Sequence, residues 1–161
     1  MQLSVQERFA PDDVCFGCGQ ANLDGLRLRS FPEGEQLVAS WTPAVRHQAF
    51  PGILNGGIIG TLLDCHCNWT AAWRLAERDG QPAPPCTVTA EYTIRLLAPT
   101  PVNELIQLRA WLVRASGRRA EVHGELGHNG QVTATCSGLF VAVKPDHPAF
   151  VQRHRPIASS D

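Results

Sequence analysis

The run from residue 56 to residue 78 constrains this chain more than any other. Ile58, Ile59, Leu62, Leu63, Trp69, Ala71, Ala72, Trp73 and Leu75 fall at spacings that spread apolar side chains nearly all round a helix. A helix greasy on every side must be covered on every side. The pattern therefore predicts a buried rod wrapped by sheet rather than a surface amphipathic helix. Asn55-Gly56-Gly57 marks its start; Arg74, Arg78 and Gly80, then Pro82, Pro84 and Pro85, mark its end.

The rest of the chain supplies the wrapping. Leu26–Phe31 alternates and reads as a short strand, and Gln36–Trp41 as a longer one stopped by Thr42-Pro43. After the helix, Cys86–Leu96 alternates, with Val88, Ala90, Tyr92, Ile94 and Leu96 sharing one side. Residues 105–113, 119–126 and 132–143 follow as strands joined by tight turns at Ser116-Gly117 and Asn129-Gly130, the latter a strong hairpin signal. One helix among antiparallel strands is an α+β layout. The expected organisation is an N-terminal arm over residues 1–24, one domain over 25–145 and a polar, frayed tail over 146–161.

Composition narrows the function classes. The 161 residues suit a single domain, and charges nearly cancel at -1 with no basic run. Nucleic acid and anionic membrane are therefore poor partners for this chain, and no apolar run approaches the ~18 residues of a membrane span. Charged residues near the start (Glu7, Arg8) sit where a signal peptide needs an apolar stretch, so the expected location is cytoplasmic.

Six cysteines stand at 15, 18, 65, 67, 86 and 136. On a helix, Cys65 and Cys67 point ~200° apart, so one ion cannot take both. The expectation is structural thiols, with no metal and no cofactor. Zinc is the alternative, with Cys15 and Cys18 as its ligands.

The chemistry lies along one stripe of the helix. Asp64 stands seven residues past Gly57, about two turns on, so the two share a face with Gly60, Thr61, Asn68 and Ala71. Helix propensity gives no reason for Asp in that place, and an unpaired carboxylate in an apolar helix is costly unless something uses it. Open backbone N–H groups at a helix start favour developing negative charge. Carboxylate and open donors together are the parts of an acyl-transfer site. His47, in the preceding loop, is placed to hold a substrate or line the pocket near Asn55.

These residues carry a resemblance. Cys15-Phe-Gly-Cys-Gly with Asn22 and Gly25-Leu-Arg-Leu, Phe50-Pro-Gly with Asn55-Gly-Gly and Asp64, and Thr89-Ala-Glu-Tyr-Thr-Ile-Arg with Pro99 occur in that order. Over roughly residues 15–143 the chain resembles the hotdog-fold acyl-CoA thioesterases, especially the PaaI-like branch. The resemblance implies a central helix gripped by a curved antiparallel sheet, dimers or dimers of dimers, and active sites drawing on both chains. It also implies an acyl-CoA substrate, with Asp64 as general base or nucleophile and the Gly57 N–H as oxyanion donor. Asn55 and Thr89 complete the catalytic set, while Gly56, Thr61, Asn68 and His47 line the substrate. Arg118 and Arg119 are candidates for the coenzyme A phosphates. Two departures stand out: Asn55 replaces the family's usual histidine, and Cys65 follows Asp64 where the family often has an acid. They keep two alternatives open, a dehydratase or hydratase using His47 and a non-catalytic acyl-CoA binder.

Overall fold

A computed structural model describes residues 2–155. In chain order the elements are α1 (Val5–Phe9), β1 (Phe31–Glu33), β2 (Gln36–Trp41), a 3-10 turn (Val45–His47), β3 (Gln48–Phe50), β4 (Ile53–Leu54), α2 (Gly56–Arg78), β5 (Thr87–Leu96), β6 (Ile106–Ser116), β7 (Arg119–His128), β8 (Gln131–Ala142) and α3 (Pro148–Arg153). Six strands form one antiparallel sheet in the order β1-β2-β6-β7-β8-β5, and β3 pairs with β4.

The sheet curves round α2 because its strands slip register. Breaks in the pairing fall at Thr89/Glu91 in β5, Leu112/Arg114 in β6 and Leu126/Gly127 in β7, and such bulges bend a strand and increase its twist. The hairpin between β7 and β8 turns on Asn129 and Gly130, both at positive φ (48° and 78°). Leu62, Leu63 and Leu75 of α2 are sealed against Ile106, Leu108, Val122, Leu126 and Phe140 of the sheet. The wrapped helix read from the apolar pattern is therefore the observed one, and the architecture is the α+β hotdog fold. No helix among the described residues is long and apolar enough to cross a membrane.

Four local expectations change. Leu26–Ser30 is not strand: Arg27 has φ 52°, and Leu26 and Leu28 donate their N–H groups to Phe16 and Gly17 of the cysteine loop. Only Phe31 enters the sheet. In β5 the bulge leaves Ala90 unpaired and breaks the alternation: Val88 falls on the opposite face from Tyr92, Ile94 and Leu96, of which Ile94 packs on the core while Tyr92 and Leu96 are exposed. The arm contains α1, closed by a Ser4–Glu7 capping box. Residues 148–153 of the expected frayed tail form α3, with His147 as its N-cap and Pro148 in its first turn. Residues 156–161 of that tail lie outside the described residues.

A buried polar chain ties the arm to the core. Gln6 Oε1 accepts from the Ser30 N–H (2.8 Å) and Gln6 Nε2 donates to Ser30 Oγ (3.1 Å). Ser30 Oγ meets His66 Nδ1 at 2.8 Å, and His66 Nε2 lies 2.9 Å from the Leu37 carbonyl. A carbonyl only accepts, so Nε2 carries the proton and Nδ1 accepts from the serine. Burial holds the His66 pKa down at about 4.

Candidate functional site

Asp64 sits on the stripe of α2 that the sheet leaves partly open. Thr61, Asp64 and Asn68 are half-buried, whereas Leu62, Leu63 and residues 65–67 are buried. The Thr89 hydroxyl donates to Asp64 Oδ1 at 2.7 Å, from β5 of the same chain. Thr89 is therefore an intrachain partner of the carboxylate, not one reaching across an interface. Its position beside the β5 bulge suits it, since a bulge re-aims a side chain. Asn68 Nδ2 donates to Thr89 Oγ1 (3.3 Å), and the Thr87 hydroxyl donates to Asn68 Oδ1. Asn68 thus holds the threonine that holds the acid. Burial raises the Asp64 pKa, the Thr89 bond opposes that, and the nearby Cys15 raises it further. Asp64, Asn68 and Thr87 line a cavity of about 420 Å³ together with Trp69 and Arg153. Arg153 comes from α3 and stacks 5.2 Å over the Trp69 ring. The His147-Pro148 pair was the sequence signal for that helix.

The helix start differs from the open donor array expected of it. Asn55 caps α2: its Oδ1 accepts from the N–H of Gly57 (2.8 Å) and of Ile58 (3.2 Å). The Gly57 N–H is engaged rather than free. With Oδ1 held against the helix, the two Nδ2 hydrogens of Asn55 face away from it, at an exposed position. A Cβ on Gly56 would stand 3.0 Å from a Leu96 methyl, which favours glycine there. Thr61 turns its hydroxyl back to the Gly57 carbonyl (3.0 Å). His47 Nδ1 accepts from the Ala44 N–H (2.9 Å), its ring packs on Trp41, and its carbonyl accepts from the Asn55 N–H (2.9 Å). Burial, then Arg46, lowers its pKa, so His47 acts as a neutral brace for the loop that presents Asn55.

Arg118 and Arg119 are not brought to this end. Arg78, the last residue of α2, donates to the Gly117 carbonyl (2.7 Å), which places their turn at the far end of the helix. Fourteen residues of helix separate Asp64 from Arg78, about 21 Å at 1.5 Å per residue.

The same cavity is lined by four cysteines, Cys15, Cys18, Cys65 and Cys86, of which the first three cluster. The sulfurs of Cys15, Cys18 and Cys65 all lie within 4.8 Å of one another, and Cys15 and Cys65 are 3.7 Å apart. The hydrogen bond from Cys18, then that from Cys65, holds the Cys15 thiol well below the usual range. The shared bond with Cys15 pushes both Cys18 and Cys65 up. Cys67 faces the other way: a Cβ on Gly124 of β7 would meet its sulfur at 2.5 Å, and the neighbouring Cys136 pushes its thiol up. The opposed directions expected for Cys65 and Cys67 are thus observed. Sequence reasoning missed that Cys65 would join the Cys15-Cys18 pair. The available signal was Gly17, whose missing Cβ makes room for the Cys65 sulfur.

Comparison with known proteins places the chain in a family. Residues 51–135 match the sequence profile of the thioesterase superfamily. A thioesterase superfamily protein from Shewanella loihica is 30% identical, over 78% of this chain and 98% of that one, with a TM-score of 0.62. Another solved thioesterase superfamily protein, RHA08564, is 24% identical over 88% of this chain and 70% of its own, at a TM-score of 0.67. The Escherichia coli PaaI protein, from the phenylacetic acid degradation operon, is 13% identical over 74% of this chain and 81% of its own (TM-score 0.63), a likeness of fold alone. No curated protein matches the sequence.

Proposed function

The chain belongs to the thioesterase superfamily, and from that premise we propose that it hydrolyses an acyl thioester of coenzyme A with Asp64 as general base. One observation carries the reading: a half-buried carboxylate, steadied on one oxygen by Thr89, on the wall of a cavity. In this mechanism the second Asp64 oxygen takes a proton from a water that attacks the thioester carbonyl. The carbonyl oxygen becomes an oxyanion, and an Asn55 amide is the helix-start donor that receives it. Nine residues, about 13.5 Å of helix, part it from Asp64 of its own chain. The two therefore act on one carbonyl only where a second copy brings its helix start to this acid. The Gly57 N–H serves instead by fixing Asn55. Collapse of the intermediate breaks the carbon–sulfur bond, and the leaving thiolate takes its proton from Asp64. Thr61, Gly56 and His47 lie outside the lining of the Asp64 cavity, towards the helix start with Asn55, and would meet the substrate from there.

The active form is a homodimer or a dimer of dimers. β5 is an edge strand of the sheet, and its side chains Tyr92 and Leu96 are exposed beside Leu97. A second copy pairing along that edge covers them and completes the pocket, as the family resemblance implies. Six free thiols suit a reducing cytoplasm.

The test is loss of thioester from a panel of acyl-CoAs, wild type against Asp64→Asn. It is followed by chromatography because the protein's own thiols react with colour reagents. Turnover by the wild type that falls by about 10²–10⁴ in the variant supports the assignment. Equal turnover removes it, and binding without turnover makes the chain an acyl-CoA binder. Hydration of an enoyl-CoA that is lost on His47→Ala makes it a hydratase. Isotopic oxygen from water that enters Asp64 in a single turnover makes the carboxylate a nucleophile instead of a base.

A further inference from the structure

Three cysteines from two distant stretches of chain converge in a way the hydrolytic reading does not use. Cys15 and Cys18 sit in the loop Cys15-Phe16-Gly17-Cys18-Gly19, and Cys65 comes from the third turn of α2. The loop is shaped for the meeting. A Cβ on Gly17 would stand 2.4 Å from the Cys65 sulfur, and one on Gly19 would strike the Cys15 backbone nitrogen at 2.4 Å. The Gly19 N–H closes the loop on the Cys15 carbonyl (2.8 Å). The Trp69 indole N–H donates to Cys18 Sγ at 3.4 Å. Donors aimed at sulfur stabilise thiolates, which are the form that binds metal.

Distances choose the occupant. With Zn–S bonds of about 2.3 Å, the sulfurs of a tetrahedral zinc site stand about 3.8 Å apart. Cys15 and Cys65 are 3.7 Å apart, and the whole triad fits within 4.8 Å. A disulfide would join only two of the sulfurs and leave the third without a role in a cluster it helps to build.

We propose that Cys15, Cys18 and Cys65 bind one zinc ion through three sulfur ligands, its fourth position open to water from the cavity that Asp64 also lines. Binding displaces the thiol protons to solvent and clamps the arm to α2. The ion would then form part of the cavity wall. Cys67, on the other face of the helix, takes no part.

Cobalt titration of the reduced full-length protein tests the site without any turnover assay, so its outcome stands apart from that of the hydrolytic reading. The expected result is one Co²⁺ per chain, with a sulfur-to-cobalt charge-transfer band and the intense visible bands of a tetrahedral centre. Zn²⁺ should displace it. Cys15→Ser, Cys18→Ser and Cys65→Ser should each lose the charge-transfer spectrum, and Cys67→Ser should keep it. Absence of stoichiometric uptake by the wild type, or an unchanged spectrum in Cys65→Ser, overturns the proposal. If the variants do not fold, X-ray absorption on the zinc-loaded wild type decides: three sulfur neighbours support the site, and two or fewer reject it.

Discussion

Asp64 and His66 lie two residues apart on one helix and have opposite fates. His66 is sealed, with both ring nitrogens hydrogen-bonded, to Ser30 and to the Leu37 carbonyl. Asp64 is half-buried, with a single hydrogen bond among the described residues, on Oδ1, and a cavity beside it. A two-residue step turns a helix by ~200°, so one side chain enters the core and the other leaves it. Both titratable groups are pushed toward their neutral forms by burial. Only the acid keeps an unused atom facing space. Satisfied polar groups hold a fold together, while partly satisfied ones beside a cavity are available for chemistry.

If that contrast is sound, changes on the open face alter rate and changes on the buried face alter stability. The largest separation should come from Asp64→Asn, which is expected to lower turnover by about 10²–10⁴ while leaving the melting midpoint unchanged or raised. A fall of many degrees would place Asp64 with His66 as a structural residue. Asn55 offers a sharper division. Asn55→Asp keeps a cap oxygen but loses the amide donors, so thioester turnover should drop about 10²-fold with stability preserved. Asn55→Ala removes the cap, costs about 1 kcal/mol and frees the Gly57 N–H. Retained turnover in Asn55→Ala would return the oxyanion role to Gly57.

The buried face should show itself through pH. The folded pKa of His66, about 4, lies below the ordinary 6.5, so the unfolded chain binds more protons between those values. Stability from this residue is then fully present above pH 6.5 and is lost as pH falls towards 4, by roughly 3 kcal/mol. Urea midpoints at neutral and acid pH measure it, and His66→Gln should flatten the dependence. A smaller effect is expected from Thr89→Val, about tenfold in rate. Because the Thr89 bond lowers the Asp64 pKa, its loss should also move the acid limb of the pH–rate profile upward. An unmoved limb would mean that Thr89 only packs. Arg118→Ala and Arg119→Ala, at the far end of α2, should change KM by less than about twofold, because exposed cations hold a ligand weakly.

Much of the architecture was legible in the sequence because it follows from local periodicity. The apolar circumference of residues 56–78, the glycine and prolines that end the helix, and the Asn129-Gly130 hairpin are short-range signals, and each structure formed where its signal lay. Asp64 was legible for the same reason: a carboxylate among leucines contradicts its surroundings. Leu26–Phe31 misled because alternation does not reveal which backbone a strand-like segment will find. It found the cysteine loop instead of the sheet. Alternation in β5 misled only across the bulge: the extra residue at Ala90 sets Val88 on the opposite face from Tyr92, Ile94 and Leu96, which share one side as expected.

By itself, then, the sequence determined the rod, the strands around it and the acid in its middle, each set by residues within a turn or a hairpin of one another. Tertiary structure decided which partners those residues met. It put Thr89 on Asp64 across 25 positions, Cys65 against Cys15 across 50 and Ser30 on His66 across 36. Such contacts depend on where whole elements dock. Docking is settled by the burial of many side chains at once, and that sum is not written in any one segment.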